Sequence, residues 1–375
     1  MPYCGSESIS VSKSFCLHIG SRTSKIIIQK TIPRSIKELY ALLDHDPLIP
    51  VIAVCDKNTE QLARKILPDK DKTVHVLPAG EEHKEWPQVE TILRAAKERG
   101  LGRDGLFIGI GGGVVCDITA FAASIYMRGA KLALIPTTLL CMIDAALGGK
   151  TGIGLDGIKN LAGTFYPAGT IIIVSEVLDD LPQREWKPGI AELIKTAIID
   201  KDPSFFNELQ ALTNTKEILP FMEKALLVKG RIVEKDPYET LGLESERALL
   251  NLGHSFGHAL ESTLGPGTIS HGEAVAWGIA RANELGLELG ITPLSRCEAI
   301  TKLLKAWGFE TSRDHYRKLF GGKNQAGIKF KEALLKDKKK KAGRLMFVIP
   351  ASEGAVMIEE NSKVTQFLDS LIAAL

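Results

Sequence analysis

From Lys25 to Val174 the chain alternates short β-branched runs with amphipathic stretches, and this alternation constrains the fold more than any other feature. The runs are Lys25 to Gln29, Val51 to Cys55, Val74 to Leu77, Leu106 to Ile110, Leu132 to Ile135 and Thr170 to Val174, each bounded by turn residues. Helix-period stretches such as Pro33 to Asp44, Asn58 to Ile66 and Lys84 to Arg99 lie between them. Strands linked through helices pair in parallel, because the crossover is too long for a hairpin, and the helices cover both sheet faces. After Leu181-Pro182 the texture changes. As far as about Trp307 nearly everything has helical period, with joints at Lys187-Pro188-Gly189, Asp202-Pro203, Asp236-Pro237 and Gly265-Pro266-Gly267. The expectation is an α/β Rossmann-like domain over residues 1–180 and an all-helical domain over 181–375. One late strand, Leu345 to Pro350, follows a Lys-rich segment at 336–341.

A chain of 375 residues is long enough for two cores, and 45% hydrophobic with 25% charged residues is ordinary for a globular protein. A net charge of +2 gives no reason to expect a nucleic-acid or membrane partner, so local clusters of Lys and Arg must act on something small. The most apolar segment, Leu132 to Leu147, is interrupted by Pro136, Thr137, Thr138 and Asp144, so no membrane span is expected. The N-terminal MPYCGSESISVSKS lacks the apolar stretch of a secretory signal. The cysteines at 4, 16, 55, 116, 141 and 297 show no CxxC spacing and several sit in apolar runs. They read as reduced, buried thiols of a cytoplasmic protein.

Several motifs carry chemistry. Leu249 to Glu273 holds His254, His258 and His271. His254 and His258 are four apart, so on a helix both rings leave one face, a spacing that suits two ligands of one divalent metal. A lone HxxxH is more often a solvated face, but here a third histidine follows and a carboxylate candidate lies upstream. That candidate is Glu192, flanked by Ile190, Ala191, Leu193 and Ile194, a setting where a carboxylate needs a cation or a metal. Lys195 shares its helical face, and the plainer alternative is a surface ion pair worth a few tenths of a kcal/mol. Gly109 to Asp117, GIGGGVVCD, follows a strand, where backbone amides can approach a pyrophosphate and the next helix offers its positive end. A second turn, DAALGGKTG at 144–152, carries Lys150, and Lys159 and Asn160 follow it, with Thr137-Thr138 and Arg128 near by in sequence. Lysines in glycine turns can reach an anionic ligand without steric cover.

The ordered set GGGVVCD, YMRG, PTTLL, DAALGGKTG, KNLAGTF, GIAELIK, NLGHSFGHALE and HGEAVAWG resembles 3-dehydroquinate synthase, a member of the sugar phosphate cyclases. The resemblance is dense over residues 78–281. It implies a Rossmann-like domain followed by a helical domain, with NAD and a divalent metal, zinc or cobalt. It implies metal ligands Glu192, His254 and His271, which makes His258 a substrate-side neighbour. The NAD site it implies comprises Asp56, Asn58, Gly80, Glu81, Lys84, Gly112, Gly113, Val114, Val115, Cys116, Asp117, Thr137, Thr138, Lys150, Lys159 and Leu178. The implied substrate contacts are Asp144, Lys150, Asn160, Lys195, Lys229, Arg247, Asn251, His258 and one of Lys338 or Lys339. Arg128 matches a residue that reaches the neighbouring subunit's site, which implies a homodimer. The reaction implied converts 3-deoxy-D-arabino-heptulosonate 7-phosphate to 3-dehydroquinate and phosphate in the shikimate pathway, through transient oxidation, phosphate elimination, re-reduction and an intramolecular aldol. Other reactions on this scaffold are those of a sedoheptulose 7-phosphate cyclase or of a metal-dependent polyol or glycerol-phosphate dehydrogenase. Two departures stand out: Cys116 where the family usually has Gly, and Ala79 where it often has Asp. The stretch between Lys229 and Arg247 is also longer than the family's.

Overall fold

The β-branched runs form one seven-stranded sheet in a computed structural model that describes residues 13–67, 73–212, 215–242, 245–265, 267–320, 325–340 and 345–375, without the side chains of 216 and 337–340. The chain divides into two compact units, residues 1–186 and 187–375. The strands of the first unit are β1 (Lys13–Ile19), β2 (Arg22–Gln29), β3 (Val51–Asp56), β4 (Val74–Leu77), β5 (Leu106–Gly111), β6 (Lys131–Pro136), β7 (Ile153–Leu155), β8 (Ile158–Ala162) and β9 (Thr170–Val174). Their order in the sheet is β1-β2-β9-β6-β5-β3-β4, with β7 and β8 forming a separate hairpin. Only β1 runs antiparallel to its neighbour; the other pairings in the large sheet are parallel.

The period of two along each strand divides the core between the two faces. Val51, Ala53, Cys55, Ile108, Ile110, Ala133, Ile135, Ile172 and Val174 form one apolar layer with α1 (Ile36–Leu43) and α2 (Glu60–Ile66). The alternate residues face the other side, where α3 (Trp86–Glu98) and α4 (Gly113–Ile125) lie; a Cβ on Gly109 of β5 would stand 3.3 Å from the Thr119 side chain of α4. Burying both faces is why these strands read as continuous apolar runs.

The chain moves outward from β3 to β4, then returns across β3 to β5. Strand order therefore reverses between β3 and β5, and in an open α/β sheet that reversal opens a crevice at the strands' carboxyl ends. Thr59 spans this point: its hydroxyl accepts the Asp56 amide at 3.2 Å and stands 2.9 Å from both the Ile110 carbonyl oxygen and Asp56 Oδ1, either of which can take its one proton.

The second unit is helix-rich. Its helices are α5 (Gln183–Ile199), which begins just before the division, α6 (Pro203–Ala211), α7 (Leu219–Lys235), α8 (His254–Leu264), α9 (His271–Glu288), α10 (Leu294–Ala306), α11 (Arg313–Leu319), α12 (Ala326–Lys340) and α13 (Ser362–Ala374). One antiparallel hairpin, β10 (Met346–Pro350) with β11 (Ala355–Glu359), departs from an all-helical unit, and its first strand is the late strand expected from the sequence. Among the described residues no helix is long and apolar enough to cross a membrane.

Helices α8 and α9 approach so closely that only glycine fits at their contact. A Cβ on Gly257 would meet the Ala274 carbonyl oxygen at 2.8 Å, and one on Gly278 would collide with the Gly253 carbonyl. Gly253 itself caps α8 with φ 80°, a left-handed conformation that favours glycine. A capping box on Ser270 and Glu273 starts α9. These contacts fix the starts of α8 and α9, where His254 and His271 stand. Gly278→Ala must push the helices apart, and overpacking of this kind costs about 1–3 kcal/mol. Thermal melting should show the midpoint falling by several degrees; an unchanged midpoint would contradict the packing argument.

Candidate functional site

Glu192 is fully buried in α5, and neither of its carboxylate oxygens has a hydrogen-bond partner. The Lys195 ammonium, one helical turn on and equally buried, lies against Oε2 as an ion pair without hydrogen-bond geometry. His254 Nε2 and His271 Nε2 each stand 3.6 Å from Oε1. Ligand atoms of Glu192, His254 and His271 all lie within 4.8 Å of one another.

The tautomer of His254 follows from its neighbours. Its Nδ1 faces the Leu252 carbonyl at 3.2 Å, and only an N–H can be accommodated there. Burial and the Lys195 charge push the ring's pKa down to about 3, so the imidazole is neutral and Nε2 carries a lone pair. That lone pair points toward a carboxylate oxygen. Two acceptors facing each other at 3.6 Å in a dry site repel unless a cation lies between them. A separation of this size suits two ligands held at roughly 2.0–2.1 Å from one ion.

Without a metal the charges around the cluster compensate one another, and a metal ion would take the place of the His271 proton. Burial alone would push the Glu192 carboxyl up, but Lys195 and the two histidines hold it well below the usual carboxylate range. Burial works against a charge on His271 as well, yet Glu192 and Glu261 outweigh it and lift the ring to about 10. Glu261 Oε2 lies 3.6 Å from His271 Nδ1, the nitrogen opposite the one facing Glu192. The residue types, the burial and the orphaned carboxylate oxygens together fit a divalent cation.

His258 lies beside this cluster, its ring 5.1 Å from that of His254 and exposed, and it groups with Glu261 and His271 rather than with Glu192. Asn251 is exposed at the end of a 3-10 turn, and Lys229 is buried in α7. Arg247 is buried, with Nε donating to Glu239 at 3.1 Å and Nη1 to the carbonyls of Asp236 and Pro237 at 2.8 and 2.6 Å. Two of its nitrogens are therefore spent on the loop after α7. Lys338 and Lys339 lie, as side chains, outside the described residues.

In the first unit the residues of the implied cofactor site gather at the carboxyl ends of the parallel strands. Asp56 and Asn58 follow β3, Gly80, Glu81 and Lys84 follow β4, Gly112 to Asp117 follow β5, Thr137 and Thr138 follow β6, and Leu178 follows β9. The N-terminus of α4 has no side-chain cap, so its first amides point outward from Gly112 and Gly113. A Cβ at Gly112 would press to 3.3 Å on Thr138, which shows how narrow the passage over this turn is. A glycine-lined helix start at the switch point of an α/β sheet fits a dinucleotide pyrophosphate. Asp56 Oδ1 already accepts the amides of Asn58 and Thr59, both at 3.0 Å.

Lys150, Lys159 and Arg128 are exposed, and Asp144 is half-buried in a short π-helical turn. Asn160 accepts a hydrogen bond from Lys84 at 2.7 Å. Sequence reasoning passed over Glu261 and Glu239. Glu261 stands one helical turn after His258, which was a usable signal, whereas Glu239 is reached only through a loop. Among the described cysteines, Cys55, Cys116, Cys141 and Cys297 are buried free thiols, while Cys16 is only half-buried; Cys4 lies outside the described residues.

Comparison with known proteins follows the same division. A family model for the N-terminal part of 3-dehydroquinate synthase matches residues 74–188, and one for its C-terminal part matches 189–340. The 3-dehydroquinate synthase of Dictyoglomus thermophilum is 37% identical over 305 residues, covering 79% of this chain and 81% of that one. That of Prochlorococcus marinus subsp. pastoris is 33% identical over 364 residues, covering 93% and 96%. A 2-deoxy-scyllo-inosose synthase, solved with carbaglucose-6-phosphate, NAD+ and Co2+, shares the fold at a TM-score of 0.77 and 21% identity, over 96% of this chain and 99% of that one. A 2-epi-5-epi-valiolone synthase from Streptomyces hygroscopicus subsp. jinggangensis 5008, with NAD+ and Zn2+, gives 0.75 and 22%, over 93% and 95%. From residue 74 to residue 340 the chain belongs to the 3-dehydroquinate synthase family.

Proposed function

We propose that this chain is a 3-dehydroquinate synthase, converting 3-deoxy-D-arabino-heptulosonate 7-phosphate to 3-dehydroquinate and phosphate with NAD and a divalent metal. The observation that carries the proposal is the Glu192–His254–His271 cluster, whose orphaned carboxylate and facing imidazole lone pair call for a cation, in a chain of this family. Glu192, His254 and His271 would hold the metal, and Asp56, Asn58, Gly80, Glu81, the Gly112–Asp117 turn, Thr137, Thr138 and Leu178 would hold NAD. When bound, the two groups supply a Lewis acid for hydroxyl oxygens and a reversible hydride acceptor.

The chain's own side chains do the rest. Lys195 balances the Glu192 charge in the dry interior, so the carboxylate stays ionised whatever approaches it. His258, exposed beside the cluster, can take a proton from a substrate hydroxyl and return it. Lys150 and Lys159 are exposed cations of the first unit able to meet a phosphate or carboxylate, and Lys229 and Asn251 are candidates in the second. Buried free thiols support a reducing, cytoplasmic compartment.

A homodimer is supported by apolar residues left on the surface of the first unit. Leu155, Ile158 and Leu161 project from the β7–β8 hairpin, and the Ser124–Thr164 hydroxyl bond at 2.9 Å brings the segment after it beside Ile125 and Met127. Exposed apolar groups gathered in this way mark an interface more often than a free surface. Arg128, exposed and with φ 66°, stands at the edge of the same patch.

Measurements on metal, cofactor, substrate and assembly test this reading. Chelation should abolish phosphate release and added zinc or cobalt should restore it; His271→Ala should weaken metal binding by more than the roughly 10–100-fold that loss of an outer partner costs. Full activity in metal-free protein would refute the metal assignment. Turnover should require NAD without accumulation of NADH at 340 nm, and kcat/KM should favour the heptulosonate phosphate over sedoheptulose 7-phosphate. Net NADH would point to a dehydrogenase, and a preference for the second sugar to the other cyclase. Ile158→Asp with Leu161→Asp should convert a dimer to a monomer in sedimentation; a monomeric unaltered protein would remove the dimer from the proposal.

A further inference from the structure

Among the described residues Lys84, Lys195 and Lys229 are the buried lysines, and Lys84 is buried at a junction of three elements. Its ammonium donates to Asp117 Oδ2 on α4 at 2.5 Å and to Asn160 Oδ1 on β8 at 2.7 Å. Its backbone carbonyl accepts the amide of Gly154 on β7 at 2.7 Å, and the adjoining Glu85 bridges to the same glycine. One residue thus ties the segment after β4 to the start of α4 and to both strands of the β7–β8 hairpin.

That hairpin needs such a tie. A two-stranded hairpin is at best marginally stable by itself, and within one protomer this one buries Ile153 but leaves Leu155, Ile158 and Leu161 exposed, so little apolar burial inside the protomer fixes its position. Asn160 also adopts φ 53°, a left-handed conformation that costs an ordinary side chain some energy and persists only where its surroundings impose it. The Lys84 bond to its side chain is one such imposition. The same ammonium neutralises Asp117 within the opening turns of α4, where an unpaired carboxylate would repel an anionic ligand at the helix start.

We propose that Lys84 is a positioning residue that locks the β7–β8 hairpin, and with it Asn160 and Lys159, against the opening turns of α4. Its bearing on turnover rests on the reaction proposed above. The hairpin carries Lys159 and Asn160, both exposed, and Lys84 ties Asn160 to Asp117 of α4.

The test combines Lys84→Met, Lys84→Arg, Asn160→Ala and the Lys84→Met/Asn160→Ala double variant. Amide hydrogen exchange is followed over residues 153–162, together with kcat and KM for the heptulosonate phosphate and the Kd of NAD. Loss of a charge-assisted hydrogen bond should speed exchange in the hairpin about tenfold or more in Lys84→Met and in Asn160→Ala. Both should lower kcat/KM for the sugar phosphate, and the double variant should be little worse than either single one, because the two residues act through one bond. Lys84→Arg should recover part of the loss by keeping a cation against Asp117. Losses that multiply in the double variant, or unchanged hairpin exchange with only a weaker NAD Kd in Lys84→Met, would overturn the proposal and make Lys84 a direct cofactor contact. If Lys84→Met does not fold, exchange in Asn160→Ala still decides, since an unloosened hairpin there refutes the tie. Failure of the unaltered protein to turn over the heptulosonate phosphate would refute the reaction, while the exchange result would still judge the tie.

Discussion

A carboxylate sealed inside a helical unit is the constraint around which the second half of this protein is organised. Removing Glu192 from water costs several kcal/mol unless cations or donors surround it, and its flanking residues in α5 supply only apolar surface. Compensation therefore comes from the same helix one turn away, through Lys195, and from α9 through His271, while His254 of α8 brings a neutral ring to the same oxygen. Bringing three helices to one point demands backbones that nearly touch. Gly257 and Gly278 allow that between α8 and α9, and Gly272 allows it against Pro188 of α5, where a Cβ would collide with the proline ring's own backbone. Side-chain volume at any of these positions would move an imidazole away from the carboxylate, so packing and chemistry cannot be varied independently.

The first unit solves a different problem, presenting backbone donors at a helix start where the one buried lysine is paired with Asp117. Parallel strands buried on both faces place every loop of one kind at a single sheet edge, and the reversal between β3 and β5 leaves room there. The glycines at 111–113 keep side chains out of that space, and the hydroxyl of Thr59 closes the gap between the ends of β3 and β5 from below.

Much of this was legible in the sequence wherever burial dictates residue type. All six β-branched runs are strands; the central ones are covered on both faces and so apolar throughout, while β4, at the sheet edge, is only partly buried. The elements passed over, β1, β7, β8 and β11, lie at an edge or on the surface, where polar and apolar residues mix and no run stands out. At the metal cluster Glu192 was readable as a carboxylate among aliphatic neighbours. The HxxxH spacing was only half informative: His254 and His258 do share a face, but only the first turns toward Glu192, and His271 joins from another helix through packing that no local pattern encodes. The internal partners of Arg247 and Lys84 were likewise hidden, since both depend on contacts between segments distant in the chain or on a loop of unusual length.

Those hidden pairings alter how an anionic substrate can be recognised. Counting cations in the motifs suggests a surplus waiting for a phosphate and a carboxylate, yet Lys195 is held by Glu192, Arg247 by Glu239 and Lys84 by Asp117. Each of these charges already has a partner inside the fold; drawing Lys195 toward a ligand would strand the buried Glu192 at a cost of about 1–3 kcal/mol or more, whereas Glu239 and Asp117 reach water and would be stranded less. An exposed lysine such as Lys159 faces a smaller cost, because it exchanges water for a phosphate oxygen. The buried pairs therefore hold the local geometry of their own unit, and in the proposed reaction an anion would be met first by exposed cations such as Lys159.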